Sequence, residues 1–281
     1  MNTETTFLKR HALVLYFLVT YTLTFGLFTQ WDNTSDGITL SSIPWFSFGP
    51  VLAALVLTPL TDGWSGLKTL LSRLGRWRVG GRWYGVAFGL PLLVVTAGVV
   101  MATVNGAPAP TAAQLAEWPN LFVIFIFVTI FSGPLGEDPG WRGYALERLQ
   151  GKYRPLVATL ILNVLGLLWH APLFFVENIT WPVVVTILAG WLVMNWLYNC
   201  TGGSVLLVVL MHGALNALSN FTGQMYTGDH LLQLNVWEAL GWAALALAII
   251  VATRGRLGLK QNAYPEPVTT PASTKQPLPA Q

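Results

Sequence analysis

The residues able to do chemistry in this chain are few, and they gather in three places. Gly133 to Gln150 reads G-P-L-G-E-D-P-G-W-R-G-Y-A-L-E-R-L-Q, which sets Glu137 beside Asp138 with Arg142 four residues beyond. The stretch follows Leu121 to Phe131, an apolar run without a single charge. Ionisable groups at the end of a membrane-type segment cost several kcal/mol unless paired or wetted, so they are functional suspects. The second place is His170, in G-L-L-W-H-A-P-L-F-F, with Asn163 seven residues earlier on the same helical face. The third is His212, Asn216 and Asn220 in M-H-G-A-L-N-A-L-S-N, spaced by four so that all three project from one face.

Two chemistries suit these groups. Glu137, His170 and His212 could be the three protein ligands of a catalytic zinc, Zn2+, with a fourth position open for water. The same groups also work without metal: Glu137 and His170 take a proton from water, and His212 and Asn216 donate to an oxyanion. The chain has no H-E-x-x-H, the spacing that would favour zinc. Asp138 and Arg142 meet on one face if the helix continues past Pro139. Alternatively Asp138 caps a new helix running to Gln150, with Pro139 at its first position, and Gly140 and Gly143 let that helix approach a neighbour.

Each group also has a plain structural role to be weighed. The carboxylates could mark a helix end at the water interface, and His170 could mend the kink left by Pro172. Polar stripes can glue helices at about 0.6 to 2 kcal/mol per bond, the role expected of Asn195 and Asn199.

The elements that must position these groups are membrane helices. The chain has 281 residues, 53% hydrophobic and 10% charged, with a mean hydropathy of +0.55 and 13 tryptophans. Soluble domains carry about 25% charged residues, so an all-α, polytopic membrane protein is expected. The net charge of +3 does not imply nucleic acid, because the basic residues mark loops and form no patch. Arg73 to Arg82, which mixes arginine with tryptophan, reads as an inner loop on the anionic headgroups of the lipid bilayer. A single cysteine, Cys200, excludes an internal disulfide and reads as apolar packing.

About 20 apolar residues are needed to cross the hydrocarbon. Eight transmembrane spans meet this pattern: Ala12 to Gln30, Pro44 to Leu60, Trp83 to Met101, Pro119 to Leu135, Leu156 to Phe175, Trp181 to Tyr198, Ser204 to Phe221 and Val236 to Thr253. The first is no signal peptide, because its end lacks a small-residue cleavage site. Pro91 and Pro172 lie inside spans and predict kinks. With both termini in the cytoplasm, all 15 Lys and Arg fall in inner segments, Arg142 among them. The outer connections around Asp32 and Asp36, Glu117, Glu177 and Asp229 carry none, as the positive-inside bias requires. Residues 1–260 form one transmembrane domain, and the Pro- and Thr-rich 261–281 reads as a disordered cytoplasmic tail.

The order E-D-x-x-x-R-G-Y, then W-H-A-P, then L-Y-N-C-T-G-G-S followed by H-x-x-x-N resembles the CAAX protease and bacteriocin-processing (CPBP or ABI) family of intramembrane proteases. That family includes the type II CAAX prenyl protease, which removes the last three residues of a prenylated protein. The likeness covers a core of about residues 119–222. Glu137 matches the first Glu of the family's Glu-Glu pair and Arg142 its Arg, while Asp138 replaces the second Glu with a shorter carboxylate. Gly166 stands where the second motif usually has an aromatic residue, which bears on the pocket wall. The third motif, His212 with Asn216, matches fully. The resemblance implies eight helices around a cytoplasm-facing cavity. There Glu137 and His170 activate water, His212 and Asn216 stabilise the tetrahedral intermediate, and Asp138 and Arg142 support them. Members are described as metalloproteases, and a glutamate-driven route without metal is described as well.

One feature of the helix assignment strains against this. His170 lies roughly 21 Å from the inner end of its span, whereas Glu137 sits near the inner surface. Either the fifth span starts later and tilts, or Gly133 to Asp138 lies deeper. The leading expectation is an endopeptidase acting on a peptide or membrane-protein substrate. The alternative is a non-catalytic peptide-binding or bacteriocin self-immunity protein; an ion carrier is disfavoured for want of a continuous polar path.

Overall fold

A computed structural model describes residues 3–31, 42–176 and 179–259. In chain order the elements are α1 (Thr3–Phe28), a 3-10 turn (Trp45–Phe48), α2 (Gly49–Leu74), α3 (Gly81–Val104), α4 (Ala112–Ala116), α5 (Asn120–Phe131), α6 (Pro134–Gly140), a π-helical stretch (Trp141–Leu146), α7 (Glu147–Gln150), α8 (Pro155–Trp169), α9 (Leu173–Val176), α10 (Trp181–Cys200), α11 (Val205–Gly223) and α12 (Gly228–Thr253). No strand occurs among the described residues. The all-α, polytopic expectation is met, since an apolar solvent leaves a helix as the form that bonds its own backbone.

Among the described residues six helices are long and apolar enough to cross a membrane alone, and the bent pair Asn120–Phe131 and Pro134–Gln150, counted as one span, makes a seventh. The remaining expected span is α8, with 15 residues. At about 22 Å it is shorter than the hydrocarbon, so it does not qualify by length. After a break at Gly63 the second span's helix runs on past Leu60 to Leu74, so Lys68 and Arg73 are helical, and three further boundaries matter for the site. The fourth span does not stop at Leu135; it bends by 44° and runs on to Gln150. Arg142 therefore lies inside the bundle at 0% exposure and not in an inner connection. The fifth span does not reach Phe175, because Pro172 ends α8 at Trp169 where a kink was expected. The eighth begins at Gly228, a turn or two before Val236. Pro91, by contrast, sits inside an unbroken α3.

α11 lies at the centre, against α3, α5, α6 and α10, and α12 packs across α3 and α10. Gly140 and Gly143 do allow close approach: a Cβ at Gly140 would sit 2.4 Å from the Pro50 carbonyl, and one at Gly143 2.6 Å from Leu70 Cδ1. The bundle has two distinct ends. At one, Arg73 donates to the Gly143 carbonyl (2.7 Å) and pairs with Glu147 (2.8 Å), Arg148 pairs with Asp62, and Arg76 donates to the Gly202 carbonyl. Arg73 and Arg76 are thus tied to protein, whereas Arg78 and Arg82 lie over Trp77 and Trp83. At the other end, Gln233 donates to Asn105 O (2.9 Å) and Trp31 to Ser42 O (3.1 Å). Asp32, Asp36, Glu177, Lys260, Lys275 and the tail 261–281 lie outside the described residues.

Candidate active site

The site is built on the break between α5 and α6. Gly133 adopts φ 129°, a conformation open to glycine, and Pro134 starts the next helix where its missing N–H is harmless. Pro139 does not open a new helix with Asp138 as its cap. It lies inside α6, and the six residues Trp141–Leu146 that follow are π-helical. A proline removes one rung of the ladder, and a π-turn lets the chain resume bonding one residue later. The continuous path brings Asp138 and Arg142 together, Oδ1 to Nη1 at 2.6 Å.

Asp138 and Arg142 are the centre of a buried network. Asp138 Oδ2 accepts from His212 Nδ1 at 3.2 Å, and Arg142 Nε donates to Asn195 Oδ1 at 3.0 Å. Asn195 passes the chain on to Thr159 Oγ1 at 3.3 Å, and the Arg142 guanidinium lies 4.4 Å from the centre of the Trp191 ring. Asp138, Arg142, Asn195 and Thr159 are all at 0% exposure. A buried charge is tolerable only when paired and hydrogen-bonded, and here one carboxylate and one guanidinium satisfy each other across four helical segments. Asn195 therefore glues helices, as expected, and does so by holding Arg142.

Above this network is a cavity of about 330 Å³ walled by Glu137, His170, His212 and Asn216, together with Trp191 and Glu238. The second resolution of the depth conflict is the one observed: Glu137 lies roughly 20 Å of helix above Gln150 and so at the level of His170. A Cβ on Gly133 would lie 2.7 Å from Glu137 Oε1 and 4.0 Å from Asn216 Nδ2, so both groups flank that glycine. Glu137 Oε2 is buried and has no hydrogen-bond partner among the described residues. His170 Nδ1 is 2.7 Å from the Gly166 carbonyl. Because a carbonyl only accepts, the ring donates there and keeps Nε2 as an acceptor. His170 thus ties its ring to the Gly166 carbonyl without losing its free nitrogen; the carbonyl that Pro172 deprives of a helical bond is that of Leu168, so this bond is not the kink repair weighed for it.

The third stripe divides. His212 and Asn216 face the cavity, whereas Asn220 is exposed and accepts from Gln224 at 2.7 Å. Asn199 donates to Leu257 O and Asn163 to Leu188 O, both 2.8 Å, as glue. Cys200 is a free thiol beside Gly258. Pro44, Phe46, Ile179 and Val183 complete the cavity wall, in the half of the bundle away from the Arg73–Glu147 pair.

Two wall residues escaped sequence reasoning. Trp191 explains the glycine at position 166, since a Cβ there would come within 2.0 Å of its ring. The aromatic wall lost from α8 is thus supplied from α10, with the Trp191 and His170 ring centres 5.9 Å apart. Glu238 carries the same signal as Glu137, a carboxylate in an apolar span, but starting that span at Val236 placed it at the surface. It lies about 15 Å of helix inside α12, is 4% exposed, and accepts from Ser219 at 2.9 Å.

The donor set does not fit a metal. Among the described residues no three His, Cys, Asp or Glu side chains converge to hold one, Glu137, His170 and His212 included. His212 instead faces Asp138 through Nδ1.

A helical membrane bundle with a polar cavity and a carboxylate–imidazole–amide set defines the class. Residues 119–218 match the Rce1-like family of type II CAAX prenyl endopeptidases. The chain is also similar to CAAX prenyl protease 2 of Methanococcus maripaludis, 23% identical over 223 residues, 72% of this chain and 82% of that protein. Together with the three motifs, these matches make the α5–α11 core of this chain similar to type II CAAX prenyl endopeptidases.

Proposed function

We propose that this protein hydrolyses a peptide bond of a membrane-associated or peptide substrate with water activated by Glu137 and His170, both termini lying in the cytoplasm. The observation that carries the reading is the meeting of Glu137, His170, His212 and Asn216, from three different segments, in one cavity. Glu137 takes a proton from water, whose oxygen attacks the scissile carbonyl carbon, and His170 orients that water through its acceptor Nε2. The carbonyl oxygen becomes an oxyanion and accepts from Asn216 Nδ2–H and, in its imidazolium form, from His212 Nε2–H. Asp138 is the counter-ion that holds His212, and Arg142 holds Asp138. When the C–N bond breaks, the proton stored on Glu137 passes to the leaving amine.

No step is routed through a metal, because the donor set does not gather three ligands. The test is purified protein incubated with a peptide library, with and without chelator, beside Glu137→Ala and His170→Ala. Cleavage by the wild type should survive chelation. Each variant should insert and express normally yet lose cleavage; undiminished turnover in either removes that residue from the mechanism. If Glu137→Ala still binds peptide and still confers any protection the wild type confers, a binding protein is the better description.

A further inference from the structure

The mechanism leaves one carboxyl group of the cavity unused. Glu238 lies on α12, is 4% exposed and lines the same space as Glu137 and His212. Its Oε2 accepts from Ser219 Oγ at 2.9 Å, while Oε1 is buried with no hydrogen-bond partner among the described residues. Gly98 makes room for the side chain: a Cβ there would lie 2.9 Å from Glu238 Cγ, so α3 passes close beside its stem. A tie between α11 and α12 needs only the Ser219 bond and leaves Oε1 unexplained. A buried carboxylate is costly unless a cation pairs with it. The cavity offers none, since its walls hold two carboxyl groups and no Lys or Arg. The buried Arg142 is held by Asp138, and the His212 ring faces Asp138 as well.

The place of Glu238 relative to the reacting atoms follows from α11. His212, Leu215, Asn216 and Ser219 all line the cavity, the i, i+3, i+4, i+7 pattern of one helical face. Ser219 is three residues beyond Asn216, about 4.5 Å along the axis, and it holds Glu238 at that level. An extended peptide advances about 3.3 to 3.6 Å per residue. A peptide whose scissile carbonyl rests at Asn216 and which runs along α11 brings a side chain one or two residues away to Glu238. Leu215 supplies a wall on which the aliphatic stem of a long basic side chain can pack. Asn235, three residues before Glu238 on α12, adds an amide to the same wall. Ser219, Asn235 and Glu238 all lie beyond residues 119–218, the part matched to the Rce1-like family.

We propose that Glu238, with Ser219 and Asn235, is a specificity subsite that binds a lysine or arginine side chain of the substrate within about two residues of the scissile bond. The ammonium or guanidinium donates to Oε1, the oxygen left without a partner, while Ser219 keeps the carboxylate in place. That a peptide occupies the cavity rests on the endopeptidase reading; the preference for a cation rests on Glu238.

The experiment uses the full chain in detergent carrying Glu137→Ala, so that peptide is bound and not cut and the other cavity carboxylate is gone. Fluorescent, otherwise uncharged peptides with a single lysine, moved one residue at a time along the sequence, are compared by anisotropy with the same peptides carrying norleucine, which keeps the stem and lacks the ammonium. One lysine position or two adjacent ones should bind about tenfold or more tighter than norleucine, the usual effect of a hydrogen bond to a charged group. Adding Glu238→Gln, which keeps the shape and can still accept from Ser219, should remove that preference. Glu238→Asp, run in parallel in case the amide disturbs packing, should reduce it, because the carboxylate is withdrawn by one methylene. Equal affinity of lysine and norleucine peptides at every position, no binding of any peptide, or a lysine preference undiminished in either variant overturns the inference. Cleavage of the same peptides by the protein with Glu137 intact judges the peptidase reading separately. A lysine preference without cleavage leaves Glu238 as the subsite of a binding protein, and cleavage without the preference removes only Glu238.

Discussion

Toward the basic loops, α10, α11 and α12 close on one another around Tyr198, Leu207 and Trp242, each at most 1% exposed. Toward the other end the same three helices part around about 330 Å³ of space lined by His212, Asn216 and Glu238. The closed half also differs in how its charges are held: Arg142 is paired and hydrogen-bonded on every side, whereas Glu137 in the open half keeps an oxygen without a partner. An unpaired buried polar oxygen costs stability. The closed half is packed and its buried charge is paired, whereas the open half holds the cavity and a carboxylate oxygen without a partner among the described residues.

Arg142→Met should do the most damage to the fold, because it leaves Asp138 buried without its partner, a loss of about 3–5 kcal/mol for a broken buried pair. Thermal unfolding in detergent would show it as a large drop, together with loss of cleavage; an unchanged midpoint would mean that this pair does not hold the closed half. Asn216→Ala should leave unfolding nearly unchanged and lower the cleavage rate by about 10² to 10³, the usual worth of one oxyanion donor. Equal loss in KM and none in kcat would instead make Asn216 a binding residue.

Gly166→Ala should be milder for the fold, since one methyl pressed into Trp191 costs about 1–3 kcal/mol by overpacking. It should also disturb His170, which bonds the Gly166 carbonyl, so activity ought to fall more than stability; Gly166→Ala with Trp191→Leu should recover part of the stability. Arg148→Ala is the smallest, because its pair with Asp62 is partly exposed and such pairs are worth about 0–1 kcal/mol. A large effect there would show that the basic end is held by its ion pairs and not by packing.

The membrane class, the helical character of the elements and the residues able to do chemistry could all be read from the chain itself. Apolar length and helical spacing report local preferences that the bilayer enforces, so Glu137, His170, His212 and Asn216 could be singled out before their positions were known. Their depths could not be read. Whether an apolar run ends, bends by 44° or continues through a π-turn past Pro139 depends on what packs beside it, and hydropathy does not register that. Trp191 was likewise invisible, since an aromatic in an apolar span is ordinary until a glycine on another helix is found beneath it. Glu238 was legible in kind but not in place. By itself the sequence determined which side chains are available and which helices carry them, because both follow from composition and period. Only the tertiary structure decided which end of the bundle is packed and which holds the cavity. That outcome is set by three-dimensional pairing across α6, α10 and α11, contacts that no single segment encodes.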